Sequence, residues 1–296
     1  LPIKPMWQVE KEAIEKAIES KYKNVVVKNI DFLEYSNILS KKFYSKWYID
    51  LVNYAPDFYD WLYHNIDSSS TTFRMIFDRI NAQAFKDYVL EFEPDIVICT
   101  HFVPANLLTY WREKQGAKYR VWLTITDYEA HKLWIDKRVD RYFTATKEVN
   151  DYLVNNDIKK DKIFATGIPV DLKFSKKHNK ENIFRDLALK AGFTISIFSG
   201  GFGVGPVEKI LKEVREIENI NIIVVAGNNK DLKERLQGLR DKNKNIKVFG
   251  FVNNIEELMT VSDLVISKPG GLTVSESLSM GVPLIMSNPI PGQEEA

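Results

Sequence analysis

The chain has 296 residues, 45% hydrophobic and 27% charged, with 41 basic and 40 acidic side chains and a formal net charge of +1. That length suits two globular domains, and the balanced charge gives no electrostatic case for a nucleic-acid partner. A single cysteine, Cys99, rules out a disulfide within the chain, and no run approaches the ~18 apolar residues of a membrane-spanning helix.

QVEKEAIEKAIESK (8–21) places Val9, Ala13, Ile14, Ala17 and Ile18 on one helical face. NVVVKNIDF (24–32) reads as a strand. In residues 41–65, nine of 25 side chains are Phe, Tyr or Trp, interleaved with lysines. A helix is expected over 71–90. EPDIVICTH (93–101), YRVWLTITD (119–127), DRYFTAT (140–146) and KIFATGIPV (162–170) read as strands, with helices at about 104–115 and 147–155. KFSKKHNKEN (173–182) is polar and basic and reads as linker. Beyond it the alternation is more regular. Strands are expected at 194–201, 219–227, 246–252, 263–270 and 282–289, and helices at about 204–217, 230–242, 255–261 and 273–280. Strands alternating with helices specify a parallel sheet with crossovers, so the chain is α/β, with domains over 1–170 and 171–296.

Loops after parallel strands share one edge of the sheet. SGGFGVGP (199–206) has four glycines in eight residues and opens a helix, but lacks the Gly-Lys-Ser/Thr of a Walker loop. Pro269, Gly270 and Gly271 precede LTVSESLSMG, where Thr273 or Ser275 is the expected helix cap and Glu276 the expected first-turn carboxylate. Such a Glu either stabilises its helix or accepts hydrogen bonds from ribose hydroxyls. NPIPGQEEA brings Gln293 and Glu294 to the same edge. In the first half, TITDYEAHKLW sets Asp127 at a strand end with His131 four residues on, a pair suited to orienting a substrate or to acid–base chemistry. His101 also ends a strand, and His64 and His178 read as surface. No spacing of metal ligands is present.

Four segments together resemble a family: SKPGGLTVSESLSMGVPLIMSNPIPGQEE, TDYEAHKLWIDKRVDRYFTAT with TGIPV after it, SGGFGVGPVEKIL, and PDIVICTHFVPANLL. They are similar to monogalactosyldiacylglycerol synthases and processive diacylglycerol glucosyltransferases, the lipid-glycosylating relatives of MurG in glycosyltransferase family 28. The resemblance runs from about residue 8 to the end. It implies a GT-B architecture, two Rossmann-like domains facing a cleft. It also implies inverting transfer of glucose or galactose from UDP-glucose or UDP-galactose to diacylglycerol, with no cofactor and no metal.

Site residues follow from the same resemblance. Phe251 and Val252 match the uracil segment, and Glu276 matches the ribose carboxylate. Gly200, Gly201, Gly270, Gly271, Leu272 and Thr273 match backbone around the diphosphate, and Gln293 and Glu294 match sugar-binding residues. Asp127 and His131 lie on the acceptor side of the pattern. A diacylglycerol acceptor implies a peripheral enzyme at the cytoplasmic face of an anionic membrane, a role that Phe43, Trp47 and Tyr48 suit. The family pattern opens with a strand and a Gly-Gly-Gly-His loop whose His is the proposed general base. Here LPIKPMWQVEKEAI stands in that place without glycine or histidine. The pattern also continues past Gln-Glu-Glu. The expectation is therefore a chain short of both ends, with a donor pocket and no nameable base. A polyprenyl-linked acceptor and a nucleotide-sugar-binding protein without turnover are the alternatives.

Overall fold

A computed structural model describes residues 6–35, 82–200, 206–238 and 245–287. The chain divides into two compact units, with Glu10–Pro169 in the first and Val170–Pro289 in the second.

After helix α1 (Met6–Lys21), the first unit holds four parallel strands in the order β1 (Ile96–Cys99), β2 (Arg120–Thr124), β3 (Arg141–Thr144) and β4 (Ile163–Ala165). Helix α2 (Gln83–Phe92) precedes β1, α3 (Phe102–Gln115) joins β1 to β2, and α4 (Lys147–Asn155) joins β3 to β4. Val97, Cys99, Val121, Leu123 and Tyr142 share one core with Phe85 and Val89 of α2, Ala105 and Leu108 of α3, and Val149 and Leu153 of α4. Local chemistry sets the helix limits. Thr146 accepts from Val149 N to start α4, and Gly116, at φ 67°, ends α3 in the left-handed conformation that glycine tolerates best.

The second unit is a five-stranded parallel sheet in the order β7 (Asn245–Phe249), β6 (Ile220–Val225), β5 (Phe193–Phe198), β8 (Leu264–Ser267), β9 (Leu284–Met286). Both faces are covered, which is why these strands read as continuous apolar runs. On one face Ile195, Ile197, Ile222, Val224 and Ile246 pack with α6 (Val207–Val214) and α7 (Lys230–Gly238) through Leu211 and Leu236. On the other, Phe198, Ile223, Val225 and Val265 pack with Leu258 and Met259 of α8 (Ile255–Val261), with α5 (Lys180–Asp186) and with α9 (Gly271–Met280) supplying Ile183 and Met280. Leu236 is fully buried, so Leu236→Ala should cost about 2–5 kcal/mol. Polar pins hold the opposite edge: Asn221 bonds both backbone groups of Lys190, and Asp263 accepts from Thr194 N at 2.9 Å.

The structure differs from the sequence reading in three places. Residues 24–32 form no strand. Val25 and Val26 are 50% and 75% exposed, and the segment leads into a 3₁₀ turn, Phe32–Tyr35. An apolar run needs a paired neighbour to become a strand, and this one has none among the described residues. Residues 173–182 are no bare linker. A 3₁₀ turn, Leu172–Ser175, buries Phe174, and Asn179 caps α5 by accepting from Asn182 N. Finally, α9 starts at Gly271 with Gly270 as its N-cap and no side-chain cap. Thr273 and Ser275 are inside the helix, and Glu276, six residues in, lies beyond the first turn. The first-turn dipole therefore does not explain that carboxylate.

Candidate active site

The order of the second sheet places its topological switch point between β5 and β8, the strands from which the chain winds outward in both directions. In such sheets ligands bind beyond the carboxyl ends of the strands at this point. β5 and β8 are registered Phe198 against Ser267, and Ser267 Oγ donates to Phe198 O at 3.1 Å. The two glycine turns therefore leave adjacent strands side by side. Gly200 follows β5 at φ +72°, and a Cβ there would approach Lys268 Cε to 3.3 Å. The backbone conformation selects glycine, and a Cβ would also crowd the Lys268 side chain. Gly270 and Gly271 follow β8 and begin α9. With no side chain capping that helix, the backbone N–H groups of Gly271, Leu272 and Thr273 lie at an uncapped N-terminus, a positive partial charge suited to an anion.

Glu276 is half-buried. Burial pushes its carboxyl up to about 8; Lys173 pulls it down, while Glu256 and Asp171 push it further up. A half-buried carboxyl beside a helix start is available as both donor and acceptor near neutral pH. On the same edge, beyond β7, Phe251 is 44% exposed and Val252 half-buried. The structure thus brings Gly200, Phe251, Val252, Gly270, Gly271, Leu272, Thr273 and Glu276 to one edge of one sheet. Gly201, Gln293 and Glu294 lie outside the described residues, as do Phe43, Trp47, Tyr48 and His64.

The corresponding edge of the first sheet has a different character. Asp127 lies three residues beyond β2, half-buried, and His131 is buried as the N-cap of a 3₁₀ turn, Lys132–Trp134. Its Nδ1 accepts from Leu133 N at 3.2 Å. His101, beyond β1, does the same for α3, accepting from Val103 N at 3.2 Å. An acceptor Nδ1 places the proton of a neutral imidazole on Nε2. Burial lowers His101 to about 4, which keeps it neutral. The two imidazoles enclose Phe102 and Trp134, with His101 stacked on Phe102 at 4.2 Å and His131 edge-on to it at 5.3 Å.

Sequence reasoning missed Glu10. It lies on the predicted face of α1 beside Val9, is fully buried, and neither carboxyl oxygen receives an aligned hydrogen bond. Burial, and then the charge of Asp127, hold its carboxyl well above the usual range, with a smaller lowering from nearby Thr126. A buried acid among alanines and isoleucines leaves no signal in a helical pattern. His178, read as surface, is half-buried with Nε2 2.9 Å from Lys173 O.

Among the described residues no helix is long and apolar enough to cross a membrane. Residues 8–170 match the family described as monogalactosyldiacylglycerol (MGDG) synthase, and residues 194–295 match the glycosyltransferase family 28 C-terminal domain. A processive diacylglycerol beta-glucosyltransferase of Bacillus cereus (strain AH187) is 38% identical over 205 residues, 68% of this chain and 52% of that protein. Its counterpart in Bacillus thuringiensis (strain Al Hakam) is 37% identical over the same shares. The chain thus spans about half the length of these relatives. Among solved structures, a putative UDP-N-acetylglucosamine 2-epimerase from Listeria monocytogenes superposes with a TM-score of 0.53 at 16% identity, over 69% of this chain and 59% of that one. The UDP-GlcNAc 2-epimerase of Neisseria meningitidis bound to UDP-GlcNAc gives 0.52 at 16%, over 69% and 62%. These two likenesses concern the fold, GT-B-like α/β with two parallel sheets. The chain belongs to the monogalactosyldiacylglycerol synthase family, with a family 28 glycosyltransferase C-terminal domain in its second unit.

Proposed function

We propose that this protein is an inverting glycosyltransferase that moves glucose or galactose from a UDP-sugar to diacylglycerol. The observation that carries the reading is the pair of glycine turns on adjacent strands β5 and β8, at the switch point of the second sheet, with Glu276 behind them. The Bacillus relatives, named for diacylglycerol glucosylation, support the acceptor class.

In this reading the diphosphate lies against Gly200 and the N-terminus of α9. The N–H groups of Gly271, Leu272 and Thr273 meet the charge that grows on the departing UDP, so that no metal is required. Glu276 takes the ribose hydroxyls, Phe251 and Val252 the uracil, and Gln293 and Glu294 the hexose. Asp127 and His131 serve the acceptor. With Nδ1 of His131 held by Leu133 N, its Nε2–H positions the acceptor oxygen, and Asp127 is the carboxylate placed to receive the hydroxyl proton. The enzyme works peripherally, at the cytoplasmic face of an anionic membrane, with Phe43, Trp47 and Tyr48 in the lipid headgroup layer.

The test is transfer of radiolabelled hexose from UDP-glucose and UDP-galactose, side by side, into diacylglycerol in mixed vesicles. A labelled lipid from one donor supports the reading and identifies the sugar. UDP binding with no lipid product on any acceptor would instead leave a nucleotide-sugar-binding protein.

A further inference from the structure

The residue with the widest reach at the proposed nucleotide site lies in the segment that reads as linker. Lys173 is in the 3₁₀ turn Leu172–Ser175, held by Asp171, whose side chain accepts from Lys173 N at 3.0 Å. From there its ammonium touches two other elements. It donates to Asn253 O at 2.8 Å, in the loop that carries Phe251 and Val252 out of β7. It also lies 2.5 Å from Glu256 Oε2, in the first turn of α8. That second contact is one of charge: Glu256 Oε2 is buried and receives no aligned hydrogen bond, whereas the carbonyl of Asn253 does. The ammonium lies over the ring of Phe174, 5.2 Å from its centroid, and Phe174 is itself in the core. The lysine is therefore held at its backbone and at its tip.

We propose that Lys173 is a positioning residue for the nucleotide: it fastens the Phe251–Val252 loop to the start of α8 and presents a fixed positive charge to Glu276. The inference rests on the donor-site reading above and adds a residue to it. The groups that face Glu276 from the packed elements are Lys173 and Asp171 of the 3₁₀ segment and Glu256 of α8. Two of the three are acids that favour the protonated carboxyl, and Lys173 alone opposes them. Ribose hydroxyls are donors, so the ionised carboxylate is the better partner for them. UDP should accordingly bind more tightly as pH rises through about 8, where Glu276 ionises. Lys173 keeps that transition within reach of neutral pH.

The experiment is calorimetric titration of the full 296-residue chain with UDP and with 2′,3′-dideoxy-UDP from pH 6 to pH 9.5. Both ligands share the titration of the phosphate, and only UDP reports on ribose hydroxyls. UDP affinity should rise roughly tenfold across the transition, and dideoxy-UDP should show no such rise. Lys173→Met should move the transition up by about one pH unit and weaken UDP about tenfold at neutral pH, while Lys173→Arg keeps both near the parent values. Glu256→Gln should move the transition down. Thermal melting of each variant reports on folding. A parent that binds no UDP removes the donor-site reading itself. A parent that binds UDP, with Lys173→Met weakened equally at every pH and its transition unmoved, overturns the role of Lys173 alone.

Discussion

The carboxyl edges of the two sheets are built by opposite means. At the first, side chains close the edge: two imidazoles, Phe102 and Trp134 pack ring against ring, each imidazole spends Nδ1 on a backbone cap, and two carboxyls, Glu10 and Asp127, lie close together. At the second, side chains are withheld. Gly200, Gly270 and Gly271 leave the backbone bare, and α9 starts from Gly270 with no side-chain cap. An edge of bare N–H groups suits an anion, which needs donors without bulk. An edge of capped imidazoles beside a carboxylate would suit an uncharged hydroxyl, which needs orientation and a proton acceptor. One architecture thus presents two different edges, according to which atoms the loops expose.

The sharpest way to break that contrast is to separate the two edges by substitution. Asp127→Asn should lower hexose transfer by about 10²–10⁴-fold and leave UDP affinity unchanged. Transfer rates with matched UDP titrations check it, and a parallel loss of UDP binding would place Asp127 in the wrong half of the chemistry. Gly200→Val should act the other way. A β-branched residue at φ +72° adds about 1–2 kcal/mol of backbone strain, and its Cβ presses on Lys268, so UDP binding should fall by roughly tenfold or more. Calorimetry on the folded variant measures this.

A smaller effect sharpens the description of the first edge. Glu10 has a folded-state pKa above its unfolded value, so the stability its protonated form contributes is complete below about pH 4.5 and is lost as pH rises through the folded value. Glu10→Gln should therefore stabilise the protein by about 1–3 kcal/mol at pH 8 and by little at pH 4, as read from melting temperatures at both pH values. Equal shifts at the two would mean that Glu10 is not buried as an acid. The smallest expected effect concerns the second edge. If backbone N–H groups rather than a metal meet the leaving UDP, EDTA should change transfer by no more than about twofold.

Much of the second edge was legible in the sequence because glycine and proline punctuate it. PGG after DLVISK and SGG after TISIF could be seen as turns, and the strands of the second unit stand out as apolar runs. The start of α9 was legible only in part. Thr and Ser are the usual caps, yet a Pro-Gly-Gly turn let the helix begin before them, and this took Glu276 out of the first turn. The first edge was less legible. Asp127 and His131 stood out as types, but the capping by Nδ1, the ring cluster around Trp134 and the nearness of Glu10 depend on contacts between separate segments. Lys173 was hidden by composition: KFSKK reads as solvated, and only the burial of Phe174 and the carbonyl of Asn253 reveal that the segment is anchored. NVVVKNIDF shows the converse. Its propensity for strand is real, and without a neighbour to pair with among the described residues it stays irregular.

The central claim is that the nucleotide lies at the switch point of the second sheet. Hydrogen exchange of backbone amides with and without UDP tests it most directly. The account predicts slowed exchange at Gly200 and at Gly271, Leu272 and Thr273, with no change across Asp127 to His131. Protection confined to the first unit, or none at the start of α9 under saturating UDP, would contradict it.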